Sequence, residues 1–455
     1  MTVVDQLAAR LIGGRLITDP DVVDAYRRDR ADLVEPGDPL AVLLADTVED
    51  VSVALAWAHE HAIPVVPRGS GTGLSGGATA TDGCLILSTA RMTAIREVSA
   101  EDQLAVVEAG VITADVDRAA REVGLMYAPD PSSFEISTIG GNLATNAGGL
   151  RCVKYGVTRD SVLGLEVVLA DGRIIRTGRR TVKGVAGYDL TSLFVGSEGT
   201  LGIITSATLK LRPPPAAEPV TVVGSFASIR AAAEAVAGIV RQGLGPSLLE
   251  LIDQNTLRSI NEWKNMGLDD DMAAMLIAQA DGTDATDAGA ALVAQFEAAG
   301  ADFVAVSTDP AEAVQLLEIR RLALPAAERL GRCLVEDVGV PRSKLPEMFE
   351  RLEQIAAHHQ VRVMTVAHAG DGNLHPIFVF DPTADGTVPD NIWAAADEVF
   401  RTALDLGGTL TGEHGVGVLK RRWLELELGP DVMDVHRSIK NALDPTGILN
   451  PGKGF

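Results

Sequence analysis

The chain has 455 residues, 46% of them apolar, with 46 glycines and a formal net charge of −23. That length is too great for one hydrophobic core, so two or three domains are expected, and the apolar content excludes a disordered chain. The acid excess argues against nucleic acid or an anionic membrane as a partner, and it obliges an anionic ligand to find local positive groups.

In chain order, Val4, Leu7, Ala8 and Leu11 fall at helical spacing, so residues 1 to about 35 read as helical. Val42–Leu44 is a short strand. Val48–His61 is an amphipathic helix behind the cap Asp46-Thr47. The strand Ile63–Val66 runs into Pro67-Arg68-Gly69-Ser70-Gly71-Thr72-Gly73-Leu74-Ser75-Gly76-Gly77. Glycines let backbone amides approach an anion closely, and successive amides make a nest for a pyrophosphate. The loop is neither a Walker loop nor the Rossmann fingerprint: no Gly-Lys-Ser/Thr follows, and the glycine spacing is wrong. Strands follow at Cys84–Leu87 and Ala105–Glu108, a helix at Thr113–Val123, and strands at Val162–Leu169, Arg173–Thr177 and Gly202–Leu211. Ala170-Asp171-Gly172-Arg173 is a hairpin turn. Between them, Ser137-Thr138-Ile139-Gly140-Gly141-Asn142-Leu143-Ala144-Thr145-Asn146-Ala147-Gly148-Gly149 is dense in small and amide residues. Such a stretch suits backbone wrapped round a flat polar ligand, as does Gly196-Ser197-Glu198-Gly199-Thr200.

Pro213-Pro214-Pro215 breaks the chain and marks the clearest boundary. Beyond it, strand and helix alternate: Val220–Phe226, Ile229–Gln242, Pro246–Ile252, Ala273–Ala278, Asp284–Ala299 and a helix from Leu345 to Gln360. Two apolar runs, Val361–Ala367 and Pro376–Phe380, flank His368-Ala-Gly-Asp-Gly-Asn-Leu-His375 and read as a hairpin. After Asn391 the chain is mostly helical. The expected organisation is 1–212, 213–390 and 391–455.

A hairpin returns His368 and His375 to one place. Imidazoles are the commonest metal ligands, and Gly412-Glu413-His414-Gly415 offers a carboxylate and a further imidazole. Two histidines and one carboxylate leave coordination positions open, as catalytic sites require. The plain alternative is a pair of surface-turn histidines. Cys84, Cys152 and Cys333 are far apart and make no disulfide framework, which fits a reducing compartment. The N-terminus lacks a signal-peptide pattern. No run of about eighteen apolar residues marks a membrane span. The expected location is the cytoplasm, with any membrane association made through a partner.

Together these segments resemble the FAD-linked oxidases of the vanillyl-alcohol-oxidase/PCMH type, in the branch of D-lactate dehydrogenases and glycolate oxidase catalytic subunits. The resemblance rests on PRGSGTGLSGGA, STIGGNLATNAGG, Lys154-Tyr155-Gly156, VAGYDLTSLFVGSEGTLGIIT, HAGDGNLHP, GEHGVG and the closing DPTGILNPGK ending at Lys453. They cover nearly the whole chain in the family's order. The resemblance implies an α+β protein: a PCMH-type FAD-binding domain (1–212), an α+β substrate domain (213–390), and a C-terminal helical segment (391–455) completing the FAD and metal site.

It further implies that Pro67, Arg68, Gly69, Ser70, Gly71, Thr72 and Gly73 hold the FAD pyrophosphate. Ser133, Thr138, Gly141, Thr145, Gly148 and Ile203 line the rest, with Glu198 and Asn450 nearby; the plain alternative for Glu198 is a satisfied structural carboxylate. Thr72 lies where covalent members often carry histidine, so noncovalent FAD is expected. The implied metal ligands are His368, His375 and Glu413, with Zn²⁺ and Mn²⁺ both suited to that donor set. His414 has the near-neutral affinity for a proton that a general base needs, and the family gives that role to the histidine after the metal-binding glutamate. Arg320 matches the family's substrate arginine, with Arg321 as the register alternative and a helix-surface pair as the plain one. Asn373 either reaches the substrate or caps the turn, and Lys344 reads as a solvated charge at a helix start. Leu324 and Val335 stand where 2-hydroxyglutarate relatives carry polar residues, which favours a small substrate.

The implied activity is oxidation of a small D-2-hydroxy acid, D-lactate before glycolate, to the 2-oxo acid. The alternatives are a glycolate oxidase catalytic subunit working in an iron–sulfur complex and a D-2-hydroxyglutarate dehydrogenase. The electron acceptor is left open among quinone, cytochrome and electron-transfer flavoprotein, and a homodimer is compatible with the reading. A further alternative is a flavoprotein that has lost enzymatic use and serves as a binding module; the intact His368, His375, Glu413 and His414 argue against it.

Overall fold

The computed structural model describes residues 2–454. The chain forms two compact units, each built from separated stretches: 1–148, 156–214 and 413–455 in the first, 149–155 and 215–412 in the second. Residues 391–412 thus belong with the second unit.

The first unit contains two sheets. In the smaller, strand Arg15–Ile17 is antiparallel to Ala41–Leu44, which runs parallel to Leu85–Ser88, and that strand runs parallel to Val65–Arg68. Helix Val48–His61 packs Val51, Leu55 and Trp57 into the cluster beneath this sheet. Its start is set by Thr47, whose hydroxyl accepts from Asp50 N while the Asp50 carboxylate accepts from Thr47 N. Each such cap is worth about 1 kcal/mol. Asp50 also accepts from the amides of Ile12 and Gly13. The first 35 residues are accordingly not one helix: Val3–Ala8 is helical, Gly13-Gly14 turns the chain, and strand Arg15–Ile17 and the short helix Pro20–Asp24 follow. The larger sheet is antiparallel, in the order Ile95–Ser99, Leu104–Glu108, Ile203–Lys210, Val162–Val168 and Ile174–Gly178.

In the second unit a single sheet lies between two helical layers. Its strands run in the order Phe303–Ser307, Val220–Phe226, Ala274–Ala280, Leu248–Asp253, Arg362–His368, Asn373–Phe380 and Arg332–Val335, with Val338–Gly339 also paired to Asn373–Phe380. Helices Ile229–Gln242, Ala285–Ala298, Leu345–His359 and Asp390–Asp405 form one layer, and Gln254–Lys264 with Ala323–Glu328 form the other. The sequence reading did not include helices Gln254–Lys264 and Pro310–Arg321 or strand Phe303–Ser307. Segment 149–155 is tied into this unit by Lys154 and Tyr155, both bonded to the Asp281 carboxylate. Among the described residues no helix is long and apolar enough to cross a membrane.

Candidate active site

The side chains of a strand alternate between its faces, and residues directly opposite on antiparallel neighbours share a face. That rule builds the second unit's site. Met364 and Val366 on one strand, Ile377 and Val379 on the next, and Leu248 and Ile252 on a third all enter one apolar cluster. Continuing the first two rows toward the hairpin turn at the same parity gives His368 and His375, and Glu250 lies at that parity between Leu248 and Ile252. Glu250 stands opposite His368, His368 opposite Asn373, and Val366 opposite His375. Both sequence-predicted imidazoles therefore lie on one buried face, with ring centroids 5.1 Å apart. They are 3% and 5% exposed, so they are not surface-turn residues.

Two carboxylates orient this face. Glu250, fully buried, brings Oε1 to 2.8 Å from His368 Nδ1 and accepts from Arg320 Nε through Oε2 at 2.7 Å. Asp337, also fully buried, accepts from Asn373 Nδ2 at 2.6 Å and from Thr411 Oγ1 at 2.6 Å, and it lies 3.8 Å from His375 Nδ1. Of the two candidate arginines, Arg320 is buried and Arg321 exposed. Lys344 pairs with Glu347 on the surface at 3.0 Å. Val335 and Leu324 pack against the apolar cluster beside the histidine face.

Sequence reasoning missed Glu250 and Asp337. The signal was present: each is a carboxylate set inside an apolar strand run, Leu248-Leu-Glu-Leu-Ile and Leu334-Val-Glu-Asp-Val, where an isolated charge is costly unless something pairs with it. Asn373 has an amide nitrogen held by Asp337, while its Oδ1 is buried with no protein partner. The second unit ends at Gly412, where a side chain would overlap the Asn373 amide, and Glu413 is the next residue.

The first unit gathers the flavin candidates. Strand Val65–Arg68 delivers the glycine loop; a side chain at Gly69 would overlap the Thr138 hydroxyl, so two of the motifs abut. Thr138 caps helix Ile139–Thr145 by accepting from Gly141 N at 3.3 Å. This stretch is helical, where sequence reading had only backbone wrapped round a ligand. Ser133 turns the chain just before it, its carbonyl accepting from Ile136 and Ser137. Thr145, half-buried, lies one turn on. Gly71, at φ 76°, lies over the Arg68 guanidinium, which donates to Arg28 O at 2.7 Å. Burial pulls Arg68 below the usual arginine range, opposed by Asp29. Ile203 lies in the apolar cluster with Val65, Leu85 and Leu449.

Glu198 acts as a clamp. Its two oxygens accept from Val416 N and Gly417 N at 2.8 Å each, and burial raises its pKa. The Ser75 hydroxyl donates to the Gly415 carbonyl at 3.0 Å. Together they fix the loop that carries Glu413 and His414. Gly148 faces Glu413 so closely that a side chain there would overlap the carboxylate. His414 Nε2 lies 3.8 Å from Glu413 Oε1.

The residues present fit FAD. Asn450 donates to Gly77 O and Glu198 O at 2.9 and 2.7 Å, but its Oδ1 is buried without a partner. Lys453 is 1% exposed, its Nζ has no hydrogen-bond partner, and burial pushes its pKa down to about 8. Buried polar groups are almost always paired. FAD brings anionic phosphates and ring N–H groups of the complementary kinds. The donor set of the second unit likewise fits a divalent ion. A carboxylate at His368 Nδ1 assigns the proton there and the lone pair to Nε2, as in carboxylate–histidine–metal arrangements.

Comparison with known proteins supports the flavin assignment. Residues 39–178 match the FAD binding domain, and residues 215–454 match the C-terminal domain of FAD linked oxidases. The chain is 44% identical to glycolate oxidase subunit GlcD of Bacillus subtilis over 97% of its own length and 92% of the relative's. It is 38% identical to a D-lactate dehydrogenase of Archaeoglobus fulgidus, over 94% of this chain and 95% of that one. Substrate-bound p-cresol methylhydroxylase shares the fold, with a TM-score of 0.79, 20% identity, and coverage of 99% of this chain and 96% of that one. The chain belongs to the FAD-linked oxidases and is an FAD-binding oxidoreductase with a PCMH-type flavin domain.

Proposed function

We propose that the protein oxidises a small D-2-hydroxy acid, D-lactate before glycolate, to the 2-oxo acid. The observation that supports this reading is the buried row Arg320–Glu250–His368, a guanidinium and an imidazole held on one carboxylate, the chemistry that a substrate carboxylate and a divalent ion would need. When bound, FAD supplies a hydride acceptor and a divalent ion, Zn²⁺ or Mn²⁺, supplies Lewis acidity. His368, His375 and Glu413 would hold the ion. Arg320, with Nε committed to Glu250, offers its two terminal nitrogens as a fork for the substrate carboxylate. His414 takes the hydroxyl proton. Asn373 offers its buried, unpaired Oδ1 as an acceptor for the substrate. Val335 and Leu324 leave no partner for a second carboxylate, which disfavours 2-hydroxyglutarate.

The 44% identity to a glycolate oxidase subunit supports a second reading, a catalytic chain that works only within a larger complex. The acceptor in either case is a quinone, a cytochrome or an electron-transfer flavoprotein.

Anaerobic bleaching of the flavin separates these readings. D-lactate should bleach the purified chain faster than glycolate, and L-lactate should not bleach it. A chelator should stop bleaching, and Zn²⁺ or Mn²⁺ should restore it. His414→Ala should retain FAD and slow bleaching by about 10²- to 10⁴-fold. No bleaching of the purified, FAD- and metal-loaded chain by either acid would favour the second reading, and bleaching at the normal rate after verified metal removal would refute the metal-dependent one.

A further inference from the structure

We infer that Glu250 is a positioning residue with two simultaneous tasks: through Oε1 it sets His368 as a metal ligand, and through Oε2 it sets the direction in which Arg320 presents its guanidinium. The inference rests on the proposed metal-dependent function. It reaches a residue that none of the sequence motifs contains.

Glu250 is fully buried in the middle strand Leu248–Asp253, directly opposite His368. A carboxylate removed from water is costly to keep ionised unless its oxygens are hydrogen-bonded to charged or strongly polar groups. Here each oxygen has one such partner, at 2.8 Å to His368 Nδ1 and 2.7 Å to Arg320 Nε. An ionised carboxylate only accepts hydrogen bonds. Both partners must therefore donate. For the histidine this fixes one tautomer and one ring orientation. For the arginine it consumes the side-on Nε–H and leaves the end-on pair of terminal nitrogens as the face offered to a ligand. No other hydrogen bond of that guanidinium is seen among the described residues. Ile252, Val366 and Ile377 on the same face are apolar, and the Asn373 amide opposite His368 carries no charge to replace the carboxylate.

Glutamine at 250 would keep the volume but supply only one acceptor oxygen. Its amide N–H₂ would then confront either the histidine Nδ1–H or the arginine Nε–H. Metal affinity is the readout, measured on the FAD-loaded, metal-stripped full-length chain by Zn²⁺ competition against a chromophoric chelator. Wild type should bind Zn²⁺, His368→Ala should not, and Glu250→Gln should bind about 10- to 100-fold more weakly, the range typical of lost outer-shell carboxylates. Arg320→Gln should bind Zn²⁺ within about twofold of wild type while raising the KM for D-lactate. Should Glu250→Gln fail to fold, the double variant Glu250→Gln/Arg320→Gln removes the unpaired cation as well, and its Zn²⁺ affinity should stay low. Zn²⁺ affinity within about twofold of wild type in either Glu250 variant would overturn the inference while leaving the functional reading intact. Absence of both Zn²⁺ and Mn²⁺ binding by the wild type would instead remove the metal-dependent functional reading, and this inference with it.

Discussion

At the scale of single residues, the buried charges are the most informative groups because each needs a partner. Lys453 is the clearest case, an ammonium without a protein acceptor and with a pKa near 8. The depressed value means that, between about pH 8 and its ordinary pKa near 10.5, the unfolded chain binds a proton here that the folded chain does not. Stability of the FAD-free protein should therefore rise with pH across that window, and the burden should be fully present below pH 8. Lys453→Met should raise the melting temperature of the FAD-free protein at pH 7 and flatten its rise between pH 8 and 10, judged against wild type by scanning calorimetry. An equal pH slope in both proteins would show that the ammonium is already paired. Lys453 stood in a motif that the sequence reading quoted, yet nothing in the sequence says that its Nζ is buried away from every acceptor. Glu250 escaped for the converse reason, since it belongs to no motif and only strand pairing brings it to His368.

At the scale of elements, the histidine hairpin was legible because the strand period and the glycine turn agree. Gly372 is the turn's fixed point, at φ 80°, and a Cβ there would overlap the Val340 carbonyl. Gly386 makes a useful control: its φ is 82°, and nothing lies within 4 Å of an added Cβ. Gly386→Ala should cost only the left-handed backbone strain, about 1 to 2 kcal/mol, and should leave metal uptake unchanged. Gly372→Ala should cost more by denaturant titration and should also weaken Zn²⁺ binding, because backbone next to Asn373 has to move. Equal costs in the two variants would show that the turn relaxes freely. Elements whose burial depends on tertiary partners were the ones missed. Helix Pro310–Arg321, which carries Arg320, has no uninterrupted apolar stripe, since Val314 is 58% exposed and Arg320 is buried. Segment Ile139–Thr145, with its two glycines, reads as loop until the Thr138 cap and the packing of Ile139 and Leu143 into the larger sheet's cluster make it helical.

At the scale of the whole molecule, the order of motifs along the chain was readable and the exchange of segments between the two units was not. Residues 149–155 and 413–455 each lie in the unit opposite to their preceding neighbours, and no local signal at Gly148 or Gly412 announces this. The net charge of −23 was readable throughout and has a kinetic consequence. A hydroxy acid arrives as an anion in a repulsive field. Arg320 does little to offset that field at long range, because Glu250 compensates its charge at contact distance and the pair looks neutral from outside. In the proposed function its role is then to grip, and the approach is left to a field of the wrong sign. The Debye length falls from about 30 Å at 0.01 M salt to about 8 Å at 0.15 M. Screening should therefore raise kcat/KM for D-lactate by about twofold or more over that range, in contrast to the loss seen where an enzyme attracts its substrate. Stopped-flow flavin reduction against sodium chloride concentration measures this directly. A fall in kcat/KM with salt would mean that the bound ion and Arg320 together dominate the field at the entrance, so that the acidic surface has no part in substrate approach.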